Sequence, residues 1–308
     1  MQLQGVYTQL GILFLLMFFG YILGRIKIIT SVGTEAFSKF IVKVALPAVM
    51  ISGLMIPVTP EKLHGAISIL VLSIATYGLA CGVAIPFSKL LTQNEKERGI
   101  YSFAIIFSNS GFMGIPVLQA IYGKEAILYV VTYGITFNLL LFTLGIKLMS
   151  TQRAEKNKFN FKLLINPGIV ASIIGLILFV TGIPLPKFVV GAIDLLGGVC
   201  TPLSMVTIGA MLSTLPIRNM FSNGKIYLLA VVRLMILPLL TLVLLKYVFR
   251  IDDMWLLGVP VIIAGMPVAT NTGMMAEEYG NNPALASQTI LISTVLSCLT
   301  IPLLVYLV

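Results

Sequence analysis

The chain is a succession of long apolar stretches separated by short polar gaps. The runs cover approximately residues 6–25, 36–57, 65–90, 99–122, 125–149, 167–183, 187–214, 225–249, 254–276 and 284–307. A bilayer core about 30 Å thick takes around 20 apolar residues per helical crossing. The pattern therefore predicts an all-α integral membrane protein of ten transmembrane helices, with no room for a separate soluble domain.

Lys and Arg give the direction of threading. Loops after odd-numbered runs carry 13 of them and loops after even-numbered runs five. Basic residues collect on the cytoplasmic side, so both termini are expected outside the cell membrane. The most polar stretch, STQRAEKNKFNFK from Ser150 to Lys162, falls at the midpoint. It divides the chain into a first half, 1–149, a cytoplasmic linker, 150–163, and a second half, 164–308. Five crossings is an odd number, so a duplicated second half must enter the membrane with the opposite orientation, as in an inverted repeat. Duplication should also place helix-disrupting residues at a near-constant offset. Pro47 and Pro202, Pro86 and Pro238, and Pro116 and Pro267 stand 155, 152 and 151 residues apart. Gly114-Ile115-Pro116-Val117 matches Gly265-Met266-Pro267-Val268, and each is followed by a Tyr-Gly pair, Tyr122-Gly123 and Tyr279-Gly280.

Composition narrows the class further. With 58% apolar and 10% charged residues, the chain carries less than half of the roughly 25% charge of a soluble domain, which excludes an ordinary water-soluble enzyme. The net charge of +9 comes from residues at the edges of apolar runs rather than from a basic face, so the partner it implies is the lipid bilayer and not nucleic acid. Cys81, Cys200 and Cys298 lie within apolar runs and read as packing residues. His64, beside Glu61 and Lys62, reads as a solvated residue of a short outer loop. There is no HExxH, P-loop, GxSxG or cluster with metal-ligand spacing, so neither catalytic residues nor a metal is expected.

Candidate chemistry lies in the fourth and ninth runs. Each carries Gly, Pro and polar groups in its middle, Ser108 to Pro116 in one and Gly265 to Gly273 in the other. A proline inside a helix removes a backbone hydrogen bond. In hydrocarbon such a break survives only where it faces protein or a wet cavity. Two broken helices approaching near the midplane are expected, with Asn109, Gly114, Pro116, Gly265, Pro267 and Asn271 as the substrate-binding set and half-helix N-termini favouring an anionic group. Arg233, in the eighth run, is the deepest formal charge and Asp194, in the seventh, the acidic residue comparably embedded. Burying Arg233 costs roughly 3 kcal/mol. A partner or a function follows: an Arg233–Asp194 ion pair, or a solute or ion-coupling site.

Asn109-Ser110-Gly111-Phe112-Met113-Gly114-Ile115-Pro116-Val117 with Tyr122-Gly123, Ala276-Glu277-Glu278-Tyr279 with Pro283, and Asn166-Pro167 resemble the motifs of the auxin efflux carrier family. The resemblance implies crossing broken helices in a transport domain beside a scaffold domain, both built from the two halves, with elevator-like alternating access. It also implies Asn109 as a carboxylate-proximal ligand and Pro116 and Pro267 as crossover prolines. Where plant carriers continue Asn-Pro as Asn-Pro-Asn-Thr-Tyr, this chain reads Asn166-Pro167-Gly168-Ile169-Val170. That departure moves the expected solute from auxin to small organic anions such as dicarboxylates. The coupling ion is left open between H+ and Na+, and a homodimer is compatible with the sequence. Two other readings stand beside this one: an ion-coupled bile-acid or arsenite carrier of the same plan, and a membrane receptor that binds a solute without moving it.

Overall fold

The computed structural model describes residues 3–150, 167–214 and 223–308. Most of the linker and Asn166 lie outside the described residues. Twelve helices are present among the described residues, in chain order α1 (Leu3–Arg25), α2 (Ser31–Leu54), α3 (Pro60–Leu91), α4 (Glu95–Ile106), α5 (Ile115–Tyr122), α6 (Ala126–Met149), α7 (Pro167–Thr181), α8 (Lys187–Thr214), α9 (Gly224–Val248), α10 (Met254–Ala264), α11 (Thr272–Glu278) and α12 (Pro283–Leu307). Seven of them, α1, α2, α3, α6, α8, α9 and α12, are long and apolar enough to cross a membrane. The fourth and ninth apolar runs are each split, into α4 and α5 and into α10 and α11. His64 stands at the start of the second turn of α3 and not in a loop, because Pro60 opens that helix four residues earlier and proline is at home in a first turn.

The buried interior is mainly apolar, and so is much of the exposed surface. Ile12, Leu15 and Phe19 of α1, Ile67, Val71 and Ile74 of α3, Ile173 and Ile177 of α7, and Val295, Leu299 and Leu303 of α12 are exposed. Their spacing of three or four residues marks helix faces that lipid covers. Hydroxyls such as Ser73, Ser204, Thr241, Thr289 and Ser293 are buried instead. They are satisfied internally: Thr241 donates to Leu237 O, Thr289 to Ala286 O, and Ser73 pairs with Thr136 at 2.5 Å.

The residues cluster into two compact units, each drawing on both halves of the chain. The first falls within 1–67, 111–132 and 165–215. In it α1 packs along α8, α2 against α7 and α8, and α5 against α1. The α1–α8 pairing is backbone to backbone. A Cβ at Gly20 would stand 2.1 Å from Val206 O, and one at Gly209 1.8 Å from Met17 O. Gly20 and Gly24 form a GxxxG pair, the spacing that lets membrane helices approach most closely.

The second unit falls within 68–110, 133–164 and 216–308. Here α9 packs on α10 and α12, α4 on α6 and α12, and α11 on α12. Leu72, Leu245, Leu257 and Val261 make a buried apolar cluster, with Leu242 and Leu256 against it.

Three of the prolines follow a widened, π-type turn, whereas Pro86, Pro260 and Pro302 sit in regular α-helix. The widened turns span Ile41–Ala45, Ser110–Gly114 and Val232–Ile236, each ending two residues before a proline: Pro47, Pro116 and Pro238. The amides of Leu46 and Leu237 reach back five residues, to Ile41 O and Val232 O. Proline lacks the amide that would bond four residues back and its ring crowds that carbonyl. One extra residue in the preceding turn relieves the conflict without exposing backbone to hydrocarbon.

Candidate functional site

The site is the crossing of the two split runs, within the second unit. Helix α4 ends at Ile106, and Phe107 turns the chain extended at φ −99°, ψ 110°. Helix α10 ends at Ala264. Ser108 and Val268 then face each other as an isolated antiparallel bridge. Asn109 N donates to Pro267 O at 2.8 Å and Ala269 N to Phe107 O at 3.1 Å. Val268 N donates to Ser293 Oγ on α12 at 3.0 Å, and Thr272 caps the far side by donating from both N and Oγ1 to Ala269 O. Two interrupted helices thus satisfy each other's backbone with one strand-like contact, the solution required where water is absent.

The two prolines are not equivalent here. Pro267 lies in the crossing itself, where its missing N–H leaves no orphan donor and its carbonyl is used by Asn109. Pro116 does not: the first break falls at Phe107–Asn109, and Pro116 opens α5 seven residues later, after the widened turn that ends at Gly114. Of the two expected crossover prolines, the bridge therefore includes Pro267, while Pro116 stands at the start of the following helix. Gly114 is buried with helical backbone. Gly265 caps α10 where a Cβ would meet Leu304 Cδ1 at 2.2 Å, so glycine there lets α12 approach the crossing.

Asn109 is 3% exposed, and its Nδ2 has no hydrogen-bond partner. Asn271, half-buried, stands at the N-cap of α11, yet its side chain makes no capping bond and its Oδ1 is likewise buried without a partner. Asparagine at an N-cap ordinarily turns its side chain onto the first turn. The crossing thus holds one donor atom, Asn109 Nδ2, and one acceptor atom, Asn271 Oδ1, that are buried without a partner.

Arg233 and Asp194 do not form the expected pair. Arg233 is 1% exposed and donates to three backbone carbonyls, Nε to Met266 O at 3.1 Å, Nη1 to Ile105 O at 2.6 Å and Nη2 to Ile263 O at 3.5 Å. Asp194 belongs to the first unit and is bound by Ser52 Oγ and by Lys124 Nζ at 2.9 Å. Its carboxylate is 43% exposed, so Asp194 is not a buried charge in need of Arg233.

A small cavity of about 10 Å3 adjoins the guanidinium, lined by Thr76, Tyr77, Ser108, Tyr133, Arg233 and the helix-end residues Ile106 and Ala264 among others. That is close to the space of one water molecule. Thr76 Oγ1 and Tyr133 Oη are 2.8 Å apart. The Tyr77 hydroxyl faces Ser108 and Tyr133 without a hydrogen bond of acceptable geometry to either. Sequence reading passed over Tyr77, Tyr133 and Ser293. Hydroxyls inside apolar runs were the available signal, but the chain holds many and their facing is set by tertiary contact.

A multi-pass membrane protein with two mutually bonded broken helices and buried amide atoms without partners has the makings of a solute carrier. Comparison with known proteins gives the family: residues 5–305 match the model of the membrane transport protein family, that of the auxin efflux carriers, and the chain belongs to it. The protein is accordingly a transporter by family and not an enzyme. It is 26% identical over 297 residues to an "Uncharacterized transporter" of Methanothermobacter thermautotrophicus, covering 96% of each chain. It is also 25% identical over 305 residues to a Rhizobium meliloti protein named "Putative malonate transporter", covering 95% of this chain and 92% of that one.

Proposed function

We propose that this protein is a secondary carrier of a small organic anion of the dicarboxylate class, bound at the helix crossing. The observation that carries the reading is the pair of buried side-chain atoms without partners, Asn109 Nδ2 and Asn271 Oδ1. An unsatisfied buried polar atom costs about 1–3 kcal/mol, and a site that binds a polar solute recovers that loss when occupied. Asn109 Nδ2 is a donor suited to a carboxylate oxygen. Asn271 Oδ1 is an acceptor suited to a hydroxyl or a protonated carboxyl. The similarity to a protein named for malonate favours a short dicarboxylate. The architecture we propose is ten crossings in two inverted halves, with both termini outside the cell membrane and elevator-like alternating access.

The test is direct. Purified protein in sealed liposomes should take up labelled malonate or a close dicarboxylate along an imposed gradient, saturably, and Asn109→Ala should weaken binding. A broad panel of organic acids that neither binds nor moves would sink the proposed solute class.

A further inference from the structure

The second unit holds a buried cation without a carboxylate. No acidic side chain pairs with Arg233 among the described residues, and the cavity beside it offers only hydroxyls. What faces the guanidinium is backbone. Ile105 and Ile263 are the penultimate residues of α4 and α10, helices of 12 and 11 residues, and Met266 lies just past the end of α10. The last carbonyls of a helix have no partner within it; Ile263 O accepts from Met266 N just past the helix end at 3.2 Å and is shared with Arg233 Nη2 at 3.5 Å. Each helix C-terminus also carries roughly half a negative charge, so two that converge balance about one cation.

Half-helix C-termini and unwound carbonyls are the groups with which broken-helix transporters hold a coupling Na+. We infer that the convergence of α4 and α10 is a monovalent-cation site whose resident is Arg233, a cation tethered to the chain. A second cation in that position would meet the guanidinium at contact range, where like charges repel most strongly. Solute binding therefore needs no Na+ or K+ at this convergence. This last consequence rests on the carrier function proposed above; the cation site itself does not.

Two measurements on the full-length protein test the inference, and they fail separately. In the wild type, malonate affinity is compared in Na+, K+ and N-methylglucamine at constant ionic strength. Equal dissociation constants are expected, and a tenfold or greater tightening in Na+ overturns the inference. Malonate binding in none of the three buffers counts against the proposed solute instead. The second measurement is thermal unfolding of Arg233→Ala. Its Tm should fall and rise again with the logarithm of added guanidinium, with a smaller response to Na+ and none to tetramethylammonium, while the wild type does not respond to the same concentrations. An Arg233→Ala protein indifferent to every small cation overturns the site. If that variant does not fold, Arg233→Lys and Arg233→Met replace it: a folded Lys variant beside an unfolded Met variant supports the site, and a Met variant as stable as wild type overturns it.

Discussion

Asn109 joins the two roles of the crossing. Its backbone N–H completes the bridge to Pro267 O while its side-chain Nδ2 stays free. Replacement by alanine keeps the bridge and removes the free donor. A hydrogen bond to a charged group is worth about 1.5–3 kcal/mol, so Asn109→Ala should weaken anion binding by about 10- to 100-fold, read by isothermal titration, with Tm little changed. Asn109→Asp should weaken it further, since a carboxylate in that place repels the solute. That a polar side chain lies in this break was legible from a polar group held in an apolar run. The partners of Arg233 were not, because carbonyls at helix ends have no signature in side-chain sequence and Asp194 was the visible alternative. The two charges respond differently to mutation as a result. Asp194→Asn removes a half-exposed pair with Lys124 and should lower stability by no more than about 1 kcal/mol. Ser293→Ala strips the buried amide of Val268 of its acceptor and should lower it by about 1–3 kcal/mol, both read by thermal unfolding in one detergent.

At the level of helices, seven of the ten apolar runs are helices long and apolar enough to cross a membrane, and they were readable because a hydrocarbon core about 30 Å thick imposes its length on composition. The interruptions were readable in kind, from Gly, Pro and Asn crowded within the fourth and ninth runs. Their extent was readable too, since the helices are interrupted between Ile106 and Ile115 and between Ala264 and Thr272, but the part Pro116 plays was not: the chain leaves the helix at Phe107 and spends Pro116 on opening α5. The reason is that proline in a first turn is innocuous, and the widened turn before it absorbs what strain is left. The α1–α8 contact was also legible in principle, since Gly20 and Gly24 stand four apart, but α8 answers with Gly209 and Val206, which no spacing rule singles out. That contact carries a prediction of its own. At Gly20 an added methyl meets the backbone oxygen of Val206 at 2.1 Å, and backbone cannot swing aside as a side-chain tip can. Overpacking ordinarily costs about 1–3 kcal/mol. Gly20→Ala should reach the upper part of that range and Gly20→Leu should fail to assemble, whereas Gly11→Ala on the same helix, where a Cβ meets nothing within 4 Å, should be neutral. Fluorescence-detected size exclusion of the three variants separates these outcomes.

For the molecule as a whole, each compact unit takes segments from both halves of the chain. Helix α1 from the start of the sequence lies along α8 from well past its midpoint. A linear reading sees the two halves in succession and not their interleaving, since it depends on contacts between residues far apart in sequence. Threading, in contrast, is a property that loop charges address directly. Under the proposed architecture, the basic excess in loops after odd-numbered runs would put those loops in the cytoplasm, and five crossings per half would return both ends to the outer face. Single cysteines at Gly5 and Val308, in a background with Cys81, Cys200 and Cys298 replaced by alanine or serine, should react with a membrane-impermeant maleimide in intact cells. A cysteine in the Thr151–Lys162 stretch should react only after the membrane is opened. Reaction at one terminus and protection at the other would require an odd number of crossings, and with it the inverted relation of the two halves would be lost.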